Sequence, residues 1–591
     1  MKKISILGGC LFALALTGCN HLDREPMDSI GKDQYFASAS AATLEQYCNY
    51  FYPNLIGGHG AAKGFSFGMM DNDMMSDDIL RWERNTTSFG LHTKPASASN
   101  TNWSWTIIRA CNDFLENYEQ SPAPADAKQK YAGEILFFKT MDYFNKLKAY
   151  GDVPWYDHVL NPGDEDLYKG RDSRTVVANN MLRDIDQAIA WLPKTSHVTR
   201  VGKEAALALK ARFCLFEASW RRYHKMEGDT ELYGEAYEAA CELMKSEYGY
   251  SLYEGDDPET AYYNLFIQAD YNNNSEVILS RAYDPGKDLG NNITRTIFLA
   301  EGGNNVIGLS KSLVDSYLCA TTGKPVSMCG CPEHTHPTTL IEELSNRDPR
   351  LLQVTPNPDV TDTKHHHYLA GKPANLNQVT TTGAGSRCST GYPVVKYYNP
   401  AEATSDHNVG TLDAPVFRLG EILLIRAEAA AELGTITQAE LDLTVNALRA
   451  RVGFNQKLTM SPDVDPQLVA DYPNVTGGNA TLIREIRRER RVELVGEGFR
   501  YDDIRRWACG KLLEAPRLGV HVERAGYSAK DLAAILETIG VDENGYLTLY
   551  DKLYAGKNPK PVFEDPKHYL YAIPTNEIAL NPNLKQNTGW E

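Results

Sequence analysis

Between residues 41 and 245 apolar side chains recur every three or four positions through one segment after another, with only short breaks between segments. That spacing gives each helix a single apolar stripe, so each must find a neighbour to cover it. In 105–118 the stripe is Trp105, Ile108, Cys111 and Leu115. In 132–150 it is Ile135, Phe138, Met141 or Tyr143, and Leu147, and Gly151-Asp152-Val153-Pro154 follows. Glycine ends a helix there and proline prevents its return. Residues 173–192 open on a serine cap and stop at Pro193. Residues 204–223 set Ala205, Ala206, Ala208 and Ala211 among Leu207, Leu209 and Phe213, small side chains that let a neighbouring helix come close. Periodicity returns at 419–433, 438–451 and 481–495. The pattern predicts a mainly α chain built of stacked, tetratricopeptide-like helical hairpins, although no strict internal period is legible.

Between about 246 and 410 the texture changes to Gly, Asn, Pro and Thr, with short strand-like pieces at 277–280 and 394–398. Loops this long in a compact domain usually contact a ligand. The expectation is one globular domain over 41–591: a helical part (41–245), an irregular loop-rich part (246–410) and a second helical part (411–591). Composition narrows the function. A net charge of −17 and the lack of basic blocks with interleaved aromatics argue against nucleic acid. The mean hydropathy of −0.42 argues against a polytopic membrane protein. Tyrosine leads the aromatics, 33 against 18 Phe and 8 Trp, which suits wet, partly buried surfaces.

The first eighteen residues read as a signal peptide: Lys2 and Lys3, an apolar stretch over 4–16, then small residues before Cys19. Leu16-Thr17-Gly18-Cys19 resembles the bacterial lipobox, in which the cysteine is acylated. The competing Leu7-Gly8-Gly9-Cys10 leaves only six residues ahead of it, too few for an export core. Several acyl chains at about 0.8 kcal/mol per buried methylene would anchor the chain permanently. Residues 19–40 then form a tether. The other cysteines have no regular spacing, and Cys111, Cys214 and Cys241 fall within apolar helical patterns as small hydrophobes.

Three groupings offer chemistry. Glu485, Glu489, Glu493 and Glu497 lie four apart. Such side chains are neighbours on one helix face, whereas glycosidase carboxyls flank the bond from two sides, so an Arg/Glu packing lattice with Arg488 and Arg490 is the simpler reading. Arg500, Asp502, Asp503 and Trp507 are expected in the same network. Cys329-Gly330-Cys331, His334 and His336, with His365, His366 and His367, supply enough soft ligands for zinc. Their spacing matches no standard closed site, so no metal or other cofactor is assigned, and a disulfide at Cys319 or Cys331 is the other possibility. Asp71, Asp73, Asp77 and Asp78 lack the full calcium-loop pattern and read as capping and solvated groups.

From end to end the chain resembles the SusD/RagB family of nutrient-binding outer-membrane lipoproteins. The resemblance is carried by Leu22-Asp23-Arg24-Glu25-Pro26, Tyr150-Gly151-Asp152-Val153-Pro154, GKEAALALKAR at 202–212, Asn346-Arg347-Asp348-Pro349-Arg350, RLGEILLIRAE at 418–428, ERRVELVGEGFRYDDIRRW at 489–507 and YAIPTNEIALNPNLKQ at 571–586. Gly420 departs from the family's more usual Ala, and the Cys/His-rich segment has no place in its pattern. The resemblance implies a helical scaffold with an irregular ligand-binding side. It implies a non-enzymatic lipoprotein on the outer membrane, facing the exterior, that captures oligo- or polysaccharide and closes over a SusC-like TonB-dependent transporter. The rival readings are a surface glycoside hydrolase and a peptide- or protein-binding lipoprotein. Family members draw ligand contacts from an N-terminal loop and from the loops after the strand near 280, which points to Arg81, Trp82, Asn85 and Phe89, and to Tyr283, Asn291, Asn292, Arg295 and Phe298. Trp82, between Arg81 and Arg84, lies outside any apolar stripe and is the foremost stacking candidate, whereas Trp103, Trp105, Trp155, Trp191 and Trp220 are expected in the core.

Overall fold

The computed structural model describes residues 32–591 except 61–65, 196, 300–305, 360, 366–387, 403–405, 528 and 558–559. The leader, Cys19, the first part of the tether, His366 and His367 lie outside the described residues. Five helices carry the N-terminal scaffold: α1 (Thr106–Asn117), α2 (Ala125–Tyr150), α3 (Arg174–Trp191), α4 (Lys203–Tyr223) and α5 (Asp229–Leu243). Each packs against the next, as short breaks require. Ser173 caps α3 by accepting from the Val176 N–H. Gly151, at φ +72°, closes α2. The alanines of α4 are at most 1% exposed. The chain returns to this layer through α6 (Leu419–Leu433), packed on α5 and α4, then α7 (Ala480–Glu493) on α6 and α8 (Arg500–Arg506) on α4. One apolar cluster therefore draws on Phe36, Ile135, Phe213, Ile422, Ile504 and Ile573 alike.

Strands are few and short, in three antiparallel pairs: β1 (Ile79–Arg81) with β3 (Ile307–Leu309), β2 (Val277–Arg281) with β4 (Ala414–Arg418), and β5 (Leu518–His521) with β6 (Tyr546–Thr548). Residues 394–398, expected as a strand, form no ladder. Tyr397 has φ +68°, which breaks an extended run, and Lys396 turns into the protein. The helix expected over 438–451 splits at Thr444, whose hydroxyl donates to the Glu440 carbonyl at 2.5 Å and competes with the helical ladder. The helix expected from 132 begins at Ala125. Cys111 and Cys214 are buried as expected, and Cys241 is half-buried.

The Arg/Glu lattice ties the loop-rich part to the second helical part. Glu493 accepts from Arg350 (2.9 Å), Arg418 (2.9 Å) and Arg451 (2.7 Å). Arg418, at the end of β4, also pairs with Glu276 at 2.8 Å and Glu497 at 2.7 Å. Lys396 pairs with Glu497 at 2.7 Å, Arg449 with Glu489 at 2.8 Å, and Arg350 with Asp348 and Glu489 at 2.6 Å each. All of these residues are buried. Five cations thus face five carboxylates, so no net charge is left in the low-dielectric interior. Burial alone would raise the Glu493 carboxyl, but Arg451, Arg418 and Arg350 hold it well below the usual carboxylate range. The network also explains Gly420: a Cβ there would lie 2.0 Å from Nη1 of Arg418. Arg506 and Trp507 extend the lattice to Glu428, and Asp503 bridges Arg490 and Arg506.

Asp77 and Asp78 are not solvated groups. They are buried and paired with Arg500 at 2.8 Å and Arg491 at 2.6 Å. Asp73 is buried too, accepting from the backbone N–H groups of Gly498 and Arg500 at 2.9 Å each. The reason is that the arginines of the 489–507 block need carboxylates from elsewhere in the chain, and the segment before β1 supplies them.

Candidate functional site

The β1–β3 pair is where the N-terminal loop and the section after β2 meet, with Arg81 opposite Ile307. The Trp82 N–H extends the ladder by donating to the Val306 carbonyl at 2.8 Å. Residues 388–392 run alongside: Leu309 N–H donates to Tyr392 O, and Val520 N–H of β5 donates to Thr390 O. This extended stretch therefore lies between β3 and β5. Gly308 makes the approach possible, because a Cβ there would be 2.2 Å from Thr390 Oγ1. Hydroxyls close the remaining carbonyls of β1: Ser389 donates to Leu80 O and Tyr550 to Arg81 O, each at 2.7 Å. The result is a rigid platform with Trp82 at its end. Its half-buried indole packs against Leu80, Phe89 and Tyr550 and against the larger cluster containing Ile79, Ile307 and Val520.

Arg81 is half-buried beside it. The other residues expected from this loop serve the frame. Phe89 is 3% exposed, edge-on to Tyr550 at 5.0 Å, so its ring offers no face to a ligand. The Asn85 amide donates to Met74 O at 3.0 Å while its oxygen accepts from Ser88 N–H at 2.7 Å, which fixes a turn. Arg84 lies over the Tyr554 ring at 4.1 Å. In the second group, Tyr283 is 7% exposed and its hydroxyl donates to His59 O at 2.9 Å. Asn291 donates to Leu412 O at 3.0 Å, and the buried Asn292 is tied to Asn408 at 2.8 Å. These correct the expectation of exposed contacts: loops this long bury their own polar groups to satisfy the backbone. Arg295 and Phe298 are half-buried, Phe298 lying flat on Tyr398 at 5.8 Å. Burial pushes the His59 imidazole down to about 3, against the pull of the Asp413 carbonyl.

Two other features were at most partly legible in the sequence. Trp103, Trp155 and Trp220 are buried as expected, but Trp105 and Trp191 are half-buried. Trp105 lines an open pocket of about 580 Å³ with Tyr156, Tyr168, His158, Arg109 and Glu577. Its periodicity matched the α1 stripe, and only the packing of the C-terminal tail shows that the stripe's first position faces a pocket. The second is a gathering of Cys319, Cys329, Cys331 and His334, whose ligand atoms all lie within 4.8 Å of one another. The sequence offered Cys329, Cys331 and His334 as zinc ligands but not Cys319 with them, which stands ten residues ahead of the Cys-Gly-Cys run. His336 is exposed, and His365 is bound instead to Asp362 at 2.7 Å.

The four glutamates of the 485–497 row are each at most 9% exposed. Glu485, Glu489 and Glu493 are taken up by arginines, whereas Glu497, paired with Lys396 and Arg418, borders a small cavity of about 180 Å³.

The family model described as the SusD family matches residues 275–590. A second, described as starch-binding and associating with the outer membrane, matches residues 20–215. Two SusD-like proteins of Formosa agariphila are similar along the chain. One is 23% identical, covering 85% of this chain and 91% of its own. The other is 21% identical, covering 99% of both. Among solved structures, a SusD-like carbohydrate-binding protein of Bacteroides fragilis superposes with a TM-score of 0.72 at 23% identity, covering 93% of this chain and all of its own. A SusD-like protein from the same species gives 0.67 at 22% identity, covering 96% and 100%. Likeness at this identity establishes the mainly helical architecture.

Proposed function

The chain belongs to the SusD family, and from that premise we propose that it captures oligo- or polysaccharide at the bacterial surface and delivers it, chemically unchanged, to a SusC-like TonB-dependent transporter. In this reading Cys19 carries the lipid anchor and the tether lets the globular part reach outward from the outer membrane. The carbohydrate-binding relative and the starch-binding family description support the ligand class.

The observation that carries the reading is Trp82. A sugar presents flat C–H patches to an aromatic face and hydroxyls that must regain the hydrogen bonds lost with water. Trp82 supplies a half-buried indole at the end of a strand platform, and the preceding Arg81 is the contributor proposed for the hydroxyls. Phe298 and Arg295 are the contributors proposed from the second loop group, while Phe89, Tyr283, Asn85 and Asn292 hold the frame. A neutral sugar is also indifferent to the chain's net charge of −17, which would repel acidic cargo. The hydrolase alternative loses its best acid pair, since Glu489 and Glu493 are consumed in buried ion pairs. Calorimetric titration of oligosaccharides and peptides into wild type and Trp82→Ala, with a reducing-end assay on the same samples, tests the proposal. Binding of sugar, lost in Trp82→Ala without release of reducing ends, is the expected result. Peptide binding alone, or hydrolysis, would overturn it.

A further inference from the structure

The geometry points to a structural zinc site of the Cys₃His class, formed by Cys319, Cys329, Cys331 and His334. Sγ of Cys319 and Sγ of Cys331 are 3.6 Å apart, and Sγ of Cys329 is 3.2 Å from Nδ1 of His334. A tetrahedral zinc with Zn–S near 2.3 Å and Zn–N near 2.0 Å requires S···S edges of about 3.8 Å and S···N edges of about 3.5 Å. These two edges fall within a few tenths of an ångström of that, and all four ligand atoms lie within 4.8 Å of one another.

The surroundings are arranged for the same end. Gly330, at φ +70°, turns the chain between the two cysteines so that both sulfurs face one point. The Cys331 N–H donates to Cys329 Sγ at 3.4 Å and the Asn346 amide to Cys319 Sγ at 3.7 Å, so two sulfurs receive N–H donors suited to thiolate charge. His334 Nε2 lies 3.0 Å from the Ser345 carbonyl. A carbonyl only accepts, so that nitrogen carries the proton and Nδ1 is left with its lone pair toward the sulfurs, the arrangement found behind metal-bound histidines. Soft thiolates with one imidazole select zinc over hard cations. Such a centre would tie the loop 319–331 and the helix Pro332–Thr335 to the 346–350 segment, whose Arg350 enters the buried ion network. The same loop forms one wall of a cavity of about 630 Å³, lined by His334 and Thr335 on this side and Arg488 and Arg491 on the other. The role inferred is a staple, because all four protein positions of a closed tetrahedron are filled and none is left open for a substrate.

The test uses the full mature chain without a polyhistidine tag, reduced, supplied with zinc and desalted. Elemental analysis should give about one zinc per chain, and cobalt(II) in its place should give the thiolate-to-metal charge-transfer band and the visible bands of a tetrahedral centre. Both signals should be lost in Cys329→Ser and in Cys331→Ser, and kept in His336→Ala. Chelation should raise amide exchange in 319–346 while leaving α2 unchanged, a readout that holds even if a serine variant folds poorly. A reduced chain that takes up neither metal overturns the assignment. So do a Cys319–Cys331 disulfide that persists in the native secreted protein, iron in place of zinc, or undiminished zinc in the Cys331→Ser chain.

Discussion

Replacing Glu493 by Ala removes the carboxylate on which Arg350, Arg418 and Arg451 converge at 2.7–2.9 Å. Glu493 is fully buried, so water cannot take its place without opening the core. The balanced set of charges becomes one cation in excess, and breaking a buried pair from one side costs about 3–5 kcal/mol. Unfolding entropy of about 2.1 cal/mol/K per residue gives roughly 1.2 kcal/mol/K for a chain of this size, so the melting temperature should fall by about 2.5–4 °C. Differential scanning calorimetry measures this directly. The double change Glu493→Leu with Arg451→Met removes charge from both sides, and should lose less than the two single changes added together, with a coupling of about 1–3 kcal/mol. Strict additivity would refute the network argument. An unchanged melting temperature together with loss of an oligosaccharide-cleaving activity would refute it more completely, by making Glu493 a catalytic acid.

Trp82→Ala should weaken oligosaccharide binding about tenfold, near 1.4 kcal/mol, with little change in melting temperature, while Trp105→Ala, in the pocket beside α1, should leave affinity intact; calorimetry on both variants separates the two surfaces. Phe89→Ala should behave in the opposite sense, costing about 3–5 kcal/mol of stability and leaving sugar affinity at 25 °C within twofold, as read by thermal unfolding and titration. Acid should destabilise the fold as pH falls from about 6.5 toward 3, because the buried His59 is held neutral down to about 3 while the unfolded chain takes up its proton near 6.5. His59→Gln should flatten that part of a stability-against-pH curve, and a curve of unaltered slope would exclude the histidine as its source. Cys19→Ala should move the protein from the membrane fraction to the soluble one on cell fractionation.

The helical scaffold was legible because its stripes repeat at the helix period and its breaks carry Ser173, Gly151 and Pro193, each with a local physical reason to end or begin a helix. The Arg/Glu lattice was legible in outline, since four carboxylates at intervals of four share one face. Its partners were not: Glu276, Arg350, Lys396 and Arg418 come from segments with no periodicity, and their meeting is set by tertiary packing alone. The same limit governed the candidate site. A polar stretch around Trp82 looked uniformly exposed, yet Phe89 and Asn85 satisfy apolar and backbone demands that arise only once β1 pairs with β3. The thiols of Cys319 and Cys331, twelve residues apart in sequence, lie 3.6 Å from each other only because the intervening loop folds back, which no periodicity announces.

Within the Glu493 network, positive and negative charges balance inside each section of the chain that supplies them. The loop-rich section brings Glu276, Asp348, Arg350 and Lys396, two of each sign, and the C-terminal helical section brings Arg418, Arg449, Arg451, Glu489, Glu493 and Glu497, three of each. A relative's loops carrying the same quartet could therefore be grafted onto this framework without stranding an ion, which gives selection a route to new cargo specificity that leaves the chassis untouched.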